Sequence, residues 1–107
     1  MWDVDQETFA AAQQAGATIV DVREPMEYVQ GHVPGAVLMP MSQLGSRLGE
    51  LDKTAPLYLI CATGNRSGAM TDALRSRGYQ AWNVAGGTMA WARAGRPLES
   101  GLPTTTA

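Results

Sequence analysis

One stretch of the 107-residue chain decides the fold, and it reads Leu57-Tyr58-Leu59-Ile60-Cys61-Ala62-Thr63-Gly64-Asn65-Arg66-Ser67-Gly68. An apolar run of β type ends at Cys61, which is the single cysteine of the sequence. A short polar loop follows, and the residues after it are spaced as in a helix that extends through Arg77. This order places the backbone N–H groups of the loop at a helix N-terminus, where an anion or an ionised thiol is stabilised.

Strand and helix patterns alternate on both sides of this stretch. We predict, in chain order, an edge strand at 2–4, a helix at 6–15 after the N-cap Asp5, a strand at 18–22, a helix from Pro25 to Val29, a strand at 36–39, an amphipathic helix carrying Leu44, Leu48 and Leu51, strands at 57–60 and 80–84, and a last helix at 88–94. Such alternation predicts an α/β fold with a largely parallel sheet.

In parallel sheets the functional site lies outside the carboxyl ends of the strands. Three of these ends are chemically marked, at Asp21 and Arg23, at Cys61, and at Gly86-Gly87. We therefore expect these three segments to converge.

Composition restricts the class of protein. With 45% hydrophobic and 17% charged residues, the chain is typical of one soluble globular domain. Residues 1–5 have neither the basic nor the apolar region of a signal peptide, and no apolar run is long enough to cross a bilayer. A lone cysteine forms no internal disulfide, so we expect a cytoplasmic location without membrane association.

Charge is distributed unevenly along the chain. The residues after Lys53 carry five arginines against two acidic residues, although the whole chain has a net charge of −2. This local surplus favours a small anionic substrate. No basic tract of the kind that binds nucleic acid is present, so we expect no nucleic-acid partner.

A cysteine at the end of an apolar strand is most often an inert core residue, but the loop after Cys61 favours a reactive thiol. Gly64 permits a close backbone approach, Arg66 brings a cation within reach of the thiolate, and Ser67 can cap the helix. A helix N-terminus lowers a thiol pKa by at most ~1.5 units, so Arg66 or further N–H donors must complete the ionisation. The single histidine, His32, lies in a Gly-His-Val-Pro-Gly loop that favours a structural role over that of a base.

Three separated segments resemble the signatures of a known family. They are Ile19-Val20-Asp21-Val22-Arg23-Glu24 through Glu27-Tyr28 to Gly31-His32-Val33-Pro34-Gly35-Ala36, then Cys61-Ala62-Thr63-Gly64-Asn65-Arg66-Ser67, then Ala85-Gly86-Gly87-Thr88-Met89-Ala90-Trp91 through Gly95-Arg96-Pro97. In this order the chain resembles a single-domain rhodanese-like sulfurtransferase over residues 1–98. The resemblance implies a three-layer α/β fold, with a mainly parallel five-stranded sheet and helices on both faces. Residues 99–107 lie beyond it, and we expect them to form a flexible tail.

The resemblance also implies a reaction. Cys61 would be the catalytic nucleophile, which takes a sulfane sulfur from a small anionic donor, holds it as a persulfide and passes it to cyanide or a thiol. No metal or organic cofactor takes part. The substrate-binding loop would consist of Ala62, Thr63, Gly64, Asn65, Arg66 and Ser67. Asp21 and Arg23 stand where the family has residues that brace this loop, and a purely structural salt bridge is the alternative role for them.

Several alternatives stay open. Related phosphatases and arsenate reductases have five residues between the cysteine and the arginine, whereas the four residues Ala62–Asn65 make a smaller cradle that suits sulfur. A non-enzymatic regulatory or sulfur-carrier module of the same family is a further alternative, but inactive rhodanese-like domains typically lack the cysteine that is present here. Many thiosulfate-using relatives carry a basic or more polar residue in the place of Ala62. A low-molecular-weight persulfide, or a protein partner in a sulfur relay, therefore competes with thiosulfate as the donor.

Overall fold

The structure is a computed structural model that describes residues 2–102. Its strands are β1 (Asp3–Val4), β2 (Thr18–Asp21), β3 (Ala36–Leu38), β4 (Pro56–Ile60) and β5 (Gln80–Val84). Its helices are α1 (Gln6–Gln14), α2 (Pro25–Gln30), α3 (Met41–Leu44), α4 (Asn65–Arg75) and α5 (Gly87–Arg93), with a 3-10 helix at Gly45–Glu50 after α3. Within residues 2–102, no helix is both long and apolar enough to cross a bilayer.

The strands form one sheet in the order β1-β5-β4-β2-β3, and all neighbouring strands are parallel. The predicted α/β class and parallel sheet are confirmed. Because β4 is the middle strand, Cys61 emerges at the centre of the carboxyl edge, between the ends of β2 and β5. The predicted convergence of the three marked strand ends follows directly from this order.

Side chains alternate along β4, and each face of the sheet has its own core. Leu57, Leu59 and Cys61 pack on the face that is covered by α3, the 3-10 helix and α4. Ile60 packs on the other face, which is covered by α1, α2 and α5. Both faces are therefore buried by helices, which is the three-layer arrangement that the resemblance implied.

The helix predicted around Leu44, Leu48 and Leu51 is confirmed in its apolar face but wrong in its geometry. Leu44 is buried, and the other two leucines pack against the same core. The α-helix nevertheless ends after one turn and continues as a 3-10 helix. Gly45 and Gly49 each disfavour regular α-helix by about 1 kcal/mol relative to alanine, which accounts for the difference.

The first residues of the predicted tail contact the domain. Glu99 and His32 exchange two backbone hydrogen bonds of 2.9 Å, and the N–H group of Gly101 donates to the carbonyl of Val29 at 2.8 Å. The His32 ring is buried and stacked on Tyr28, with Nδ1 2.8 Å from the Tyr28 carbonyl oxygen. Defined contacts thus extend past residue 98, while residues 103–107 of the predicted tail lie outside the described part of the chain.

A buried ion pair closes the carboxyl end of β2. The Arg23 guanidinium donates to both carboxylate oxygens of Asp21 at 2.8 to 3.2 Å, and its Nη2 also donates to the Gly31 carbonyl at 2.8 Å. Asp21 is fully buried and Arg23 is 6% exposed. The pair joins the end of β2 to the end of α2 and fixes the segment between them.

We expect Asp21→Asn to lower the free energy of unfolding by about 3 kcal/mol, because it leaves the buried Arg23 cation without its counter-charge. Glu50→Gln is the matched control, since Glu50 makes an equally short but exposed pair with Arg47 at 2.8 and 3.0 Å. That change should alter the stability little. Urea denaturation measures both variants, and equal losses would contradict the role given to the buried pair.

Candidate active site

The Cys61 thiol lies at the start of the turn that leads from β4 into α4. The residue is 1% exposed. Gly64 is the N-cap of α4, with φ of +105°, and its N–H group donates to Sγ of Cys61 at 3.1 Å. Ser67 does not cap the helix as predicted, because the helix has already begun at Asn65. Its hydroxyl instead lies 3.2 Å from Sγ.

The N-terminus of α5 holds the other side of the loop. The N–H and hydroxyl groups of Thr88 donate to the Cys61 carbonyl at 2.9 and 3.1 Å, and the N–H group of Met89 donates to the Ala62 carbonyl at 3.0 Å. In a planar trans peptide the N–H group points away from the carbonyl. The N–H groups of Ala62 and Thr63 are thereby turned away from α5.

Glycine at position 87 makes this contact possible. Gly87 has φ of +61°, and a Cβ atom on it would lie 2.5 Å from the carbonyl oxygens of Cys61 and Ala62. Such a distance is too short for any side chain. The Gln6 amide also stabilises the turn before α5, because its Nε2 donates to the carbonyls of Ala85 and Gly87 at 2.8 and 3.2 Å.

Two opposing effects set the acidity of the thiol. Burial acts to raise the pKa of Cys61, but hydrogen bonds from the Ser67 hydroxyl and from the N–H groups of Ser67, Gly64 and Thr63 outweigh it, so the pKa lies below its usual value. Of the expected N–H donors, that of Gly64 is hydrogen-bonded to Sγ, at 3.1 Å. Within residues 2–102 no base contacts the thiol, and the His32 ring lies against the Tyr28 carbonyl of α2 instead.

Arg66 makes a contact that the sequence did not indicate. Its Nη1 and Nη2 donate to the two carboxylate oxygens of Glu27 at 2.7 and 2.8 Å. Hydrogen bonding to Arg66 lowers the pKa of Glu27 to about 2, and the same contact raises the pKa of Arg66. We predicted a cation within reach of the thiolate. The charges of Arg66 and Cys61 do act on each other, but Arg66 is paired with a carboxylate 39 positions away in the chain.

A buried polar network behind the thiol was also missed. The Ser67 hydroxyl lies 2.6 Å from Oδ1 of Asn83, and Nδ2 of Asn83 donates to Asp3 at 2.9 Å and to the Gly64 carbonyl at 3.1 Å. These two donations orient the amide so that its oxygen faces Ser67. The single hydroxyl proton therefore serves either Asn83 or the Cys61 sulfur. The sequence feature that could have predicted this network is Asn83, a polar residue near the end of a buried strand and shortly before Gly86-Gly87.

The remaining candidate residues take different positions. Thr63 and Asn65 are exposed at the rim of the loop, and Ala62 is half-buried against α5. Asp21 and Arg23 bind each other and the Gly31 carbonyl. Among residues 2–102, no hydrogen bond joins this pair to the loop at 61–67, so any bracing of the loop is indirect.

Comparison with known proteins agrees with this fold. The rhodanese-like domain family matches residues 5–94, and the chain belongs to that family. It is 33% identical to a sulfurtransferase of Allochromatium vinosum over 99 residues, which cover 90% of this chain and 92% of that protein. It is 38% identical to the protein YqhL of Bacillus subtilis over 92 residues, or 85% and 72% of the two chains. A crystal structure of a rhodanese-related protein from Thermoplasma volcanium superposes with a TM-score of 0.85 at 28% identity, covering 92% of this chain and 97% of that one.

Gly87→Ala tests the close approach of α5 to the loop. We expect it to lower the free energy of unfolding by more than about 2 kcal/mol and to slow alkylation of Cys61, because the added Cβ collides with two backbone carbonyls. Gly78→Ala is the matched control, since Gly78 also has positive φ, at +89°, but has open space around its Cβ direction. It should cost only about 1 kcal/mol of backbone strain and leave the thiol unchanged. Equal effects of the two changes would exclude a special role for Gly87.

Ser67→Ala tests the source of the thiol acidity. Losing the hydroxyl donor should raise the pKa of Cys61 and slow its alkylation near neutral pH by about tenfold, which corresponds to the ~1.5 kcal/mol of a charge-assisted hydrogen bond. The alkylation rate against pH measures this, and Ser76→Ala near the other end of α4 is the control. Because Glu27 neutralises Arg66, we expect Arg66→Ala to have a smaller effect than Ser67→Ala. The reverse order would mean that the arginine governs the acidity.

Proposed function

We propose that this protein is a sulfurtransferase that carries a sulfane sulfur as a persulfide on Cys61. The main support is the set of N–H and hydroxyl donors around Sγ, which stabilises a thiolate that no base of residues 2–102 contacts. Membership of the rhodanese-like family, and a relative that is named a sulfurtransferase, agree with this proposal.

The reaction has two displacement steps. In the first, the Cys61 thiolate attacks the outer sulfur of the donor. The new bond joins Sγ to that sulfur, the donor S–S bond breaks, and sulfite leaves with the electron pair if the donor is thiosulfate, or a thiolate if it is a persulfide. In the second, cyanide or a thiolate attacks the same outer sulfur, and Sγ departs as the thiolate. Thiocyanate or a new persulfide is released.

The loop residues divide these tasks. The N–H groups of Ala62 to Ser67 would cradle the transferred sulfur, and Arg66 would border its entrance. Asp21 and Arg23 would act indirectly, by fixing the segment that presents Glu27 to Arg66. A sulfur-relay protein can serve as donor or acceptor in place of a small molecule. The cytoplasm, where thiols stay reduced, suits this chemistry.

A phosphatase or arsenate reductase activity is the weaker alternative. The four-residue gap from Cys61 to Arg66 leaves less room than a tetrahedral oxyanion requires, and Glu27 already occupies the guanidinium that would bind one. A purely regulatory module would have no need for an acidified thiol.

Mass spectrometry tests the proposed function directly. After incubation with thiosulfate or a low-molecular-weight persulfide, the protein should gain the mass of one sulfur atom on Cys61, and cyanide should remove it as thiocyanate. Cys61→Ala should lose the persulfide and at least about 99% of the thiocyanate formation, because it removes the nucleophile. An unmodified Cys61 with every donor, or turnover of p-nitrophenyl phosphate instead, would refute sulfur transfer.

A further inference from the structure

Four charged side chains near the Cys61 loop form two ion pairs, so their charges sum to zero. They form what we call the charge cluster: Asp21, Arg23, Glu27 and Arg66. Asp21 pairs with Arg23 at 2.8 Å, and Glu27 pairs with Arg66 through two bonds of 2.7 and 2.8 Å. The pairs also act on each other, since the charge of Arg23 acts on Glu27 and that of Asp21 on Arg66. Two cations therefore face two carboxylates.

The thiolate makes the surroundings of the reacting sulfur negative. Adding the charge of Cys61 to the neutral charge cluster leaves one net negative charge, and Ala62 contributes none. Behind the loop, the Asp3 carboxylate accepts from the Asn83 amide and is thereby three hydrogen bonds away from Sγ. The compensation for an incoming anion comes from backbone N–H dipoles, which carry only partial charges. A dianion thus meets more repulsion here than a monoanion of the same shape.

The Glu27–Arg66 pair is the part of the charge cluster that solvent reaches. The two side chains are 36% and 37% exposed, whereas the Asp21–Arg23 pair is nearly inaccessible. Removing the charge of Glu27 would free the Arg66 cation for a bound donor. Removing the charge of Arg66 would instead leave an unpaired carboxylate at the same place.

We propose that Glu27 determines donor specificity: by neutralising Arg66 it selects singly charged or neutral sulfane-sulfur donors, such as persulfides and thiosulfonates, over dianionic thiosulfate. This inference rests on the proposed function and names the substrate class of that same site. Glu27 makes no covalent contribution, and it acts on the donor through the Arg66 guanidinium.

The test compares two donors that differ by one charge. Methanethiosulfonate is a monoanion in which a methyl group replaces one oxygen of the thiosulfate dianion. Both donors present a sulfane sulfur to the same thiolate, so the ratio of their kcat/KM values cancels any change in the ionised fraction of Cys61. We expect Glu27→Gln to raise the thiosulfate to methanethiosulfonate ratio by about three- to tenfold at low salt, and the gain should shrink as salt screens the charges.

Arg66→Gln should shift the same ratio in the opposite direction, because it exposes the carboxylate of Glu27. Opposite shifts cannot arise from a general loosening of the loop. Glu50→Gln is the control, since it removes a carboxylate from the comparable Arg47–Glu50 pair, which is anchored at the Leu38 carbonyl of β3. This change should leave the thiosulfate to methanethiosulfonate ratio unchanged.

The outcomes separate this inference from the proposed function. Persulfide formation from both donors with an unchanged ratio in Glu27→Gln, or shifts of the same sign in the Glu27 and Arg66 variants, would overturn the role of Glu27 alone. If neither donor places sulfur on Cys61 in the unaltered protein, the result refutes the sulfur-transfer proposal and, with it, the role of Glu27 in donor specificity.

Discussion

The site depends on the contact between the N-terminus of α5 and two carbonyl groups of the Cys61 loop. Thr88 and Met89 hold the carbonyls of Cys61 and Ala62 at 2.9 and 3.0 Å, and Gly87 lets the helix come that close. With those carbonyls bound, the N–H groups of the loop are free to face the sulfur. The parallel sheet makes this contact possible, since it places the end of β5 beside the end of β4.

Partial charges, rather than full charges, stabilise the ionised thiol of Cys61. The full charges nearby are paired, Arg66 with Glu27 and Arg23 with Asp21. The sulfur is stabilised instead by backbone dipoles and one hydroxyl group, which overcome the cost of burial. A cradle of this kind suits a small, polarisable anion such as a persulfide better than a compact dianion, which needs a nearby uncompensated cation. In our proposal, the acidity of the thiol and the choice of sulfur donor therefore have separate structural sources.

Local patterns predicted the elements and the position of the thiol, but the pairing of distant side chains required the structure. The sequence could predict strand β4, the turn at Gly64 and helix α4, because each of them depends on residues that are neighbours in the chain. The family resemblance supplied the candidate loop. The sequence could not predict the Glu27–Arg66 pair or the Ser67–Asn83 contact, since they join residues that are 39 and 16 positions apart. Whether Glu27 faces solvent or an arginine is decided by how close the starts of α2 and α4 come at the carboxyl edge of the sheet, and periodicity carries no information about that distance.

A crystal structure of the persulfidated protein would test the central claim most directly. If the loop is a cradle for sulfur, the outer sulfur on Cys61 should lie within about 3.5 Å of at least two N–H groups from residues 62–67, a distance typical of a hydrogen bond to sulfur. The bonds from Thr88 and Met89 to the loop carbonyls should remain intact. An outer sulfur that points away from those N–H groups, or a loop that must leave α5 to accommodate it, would contradict the claim.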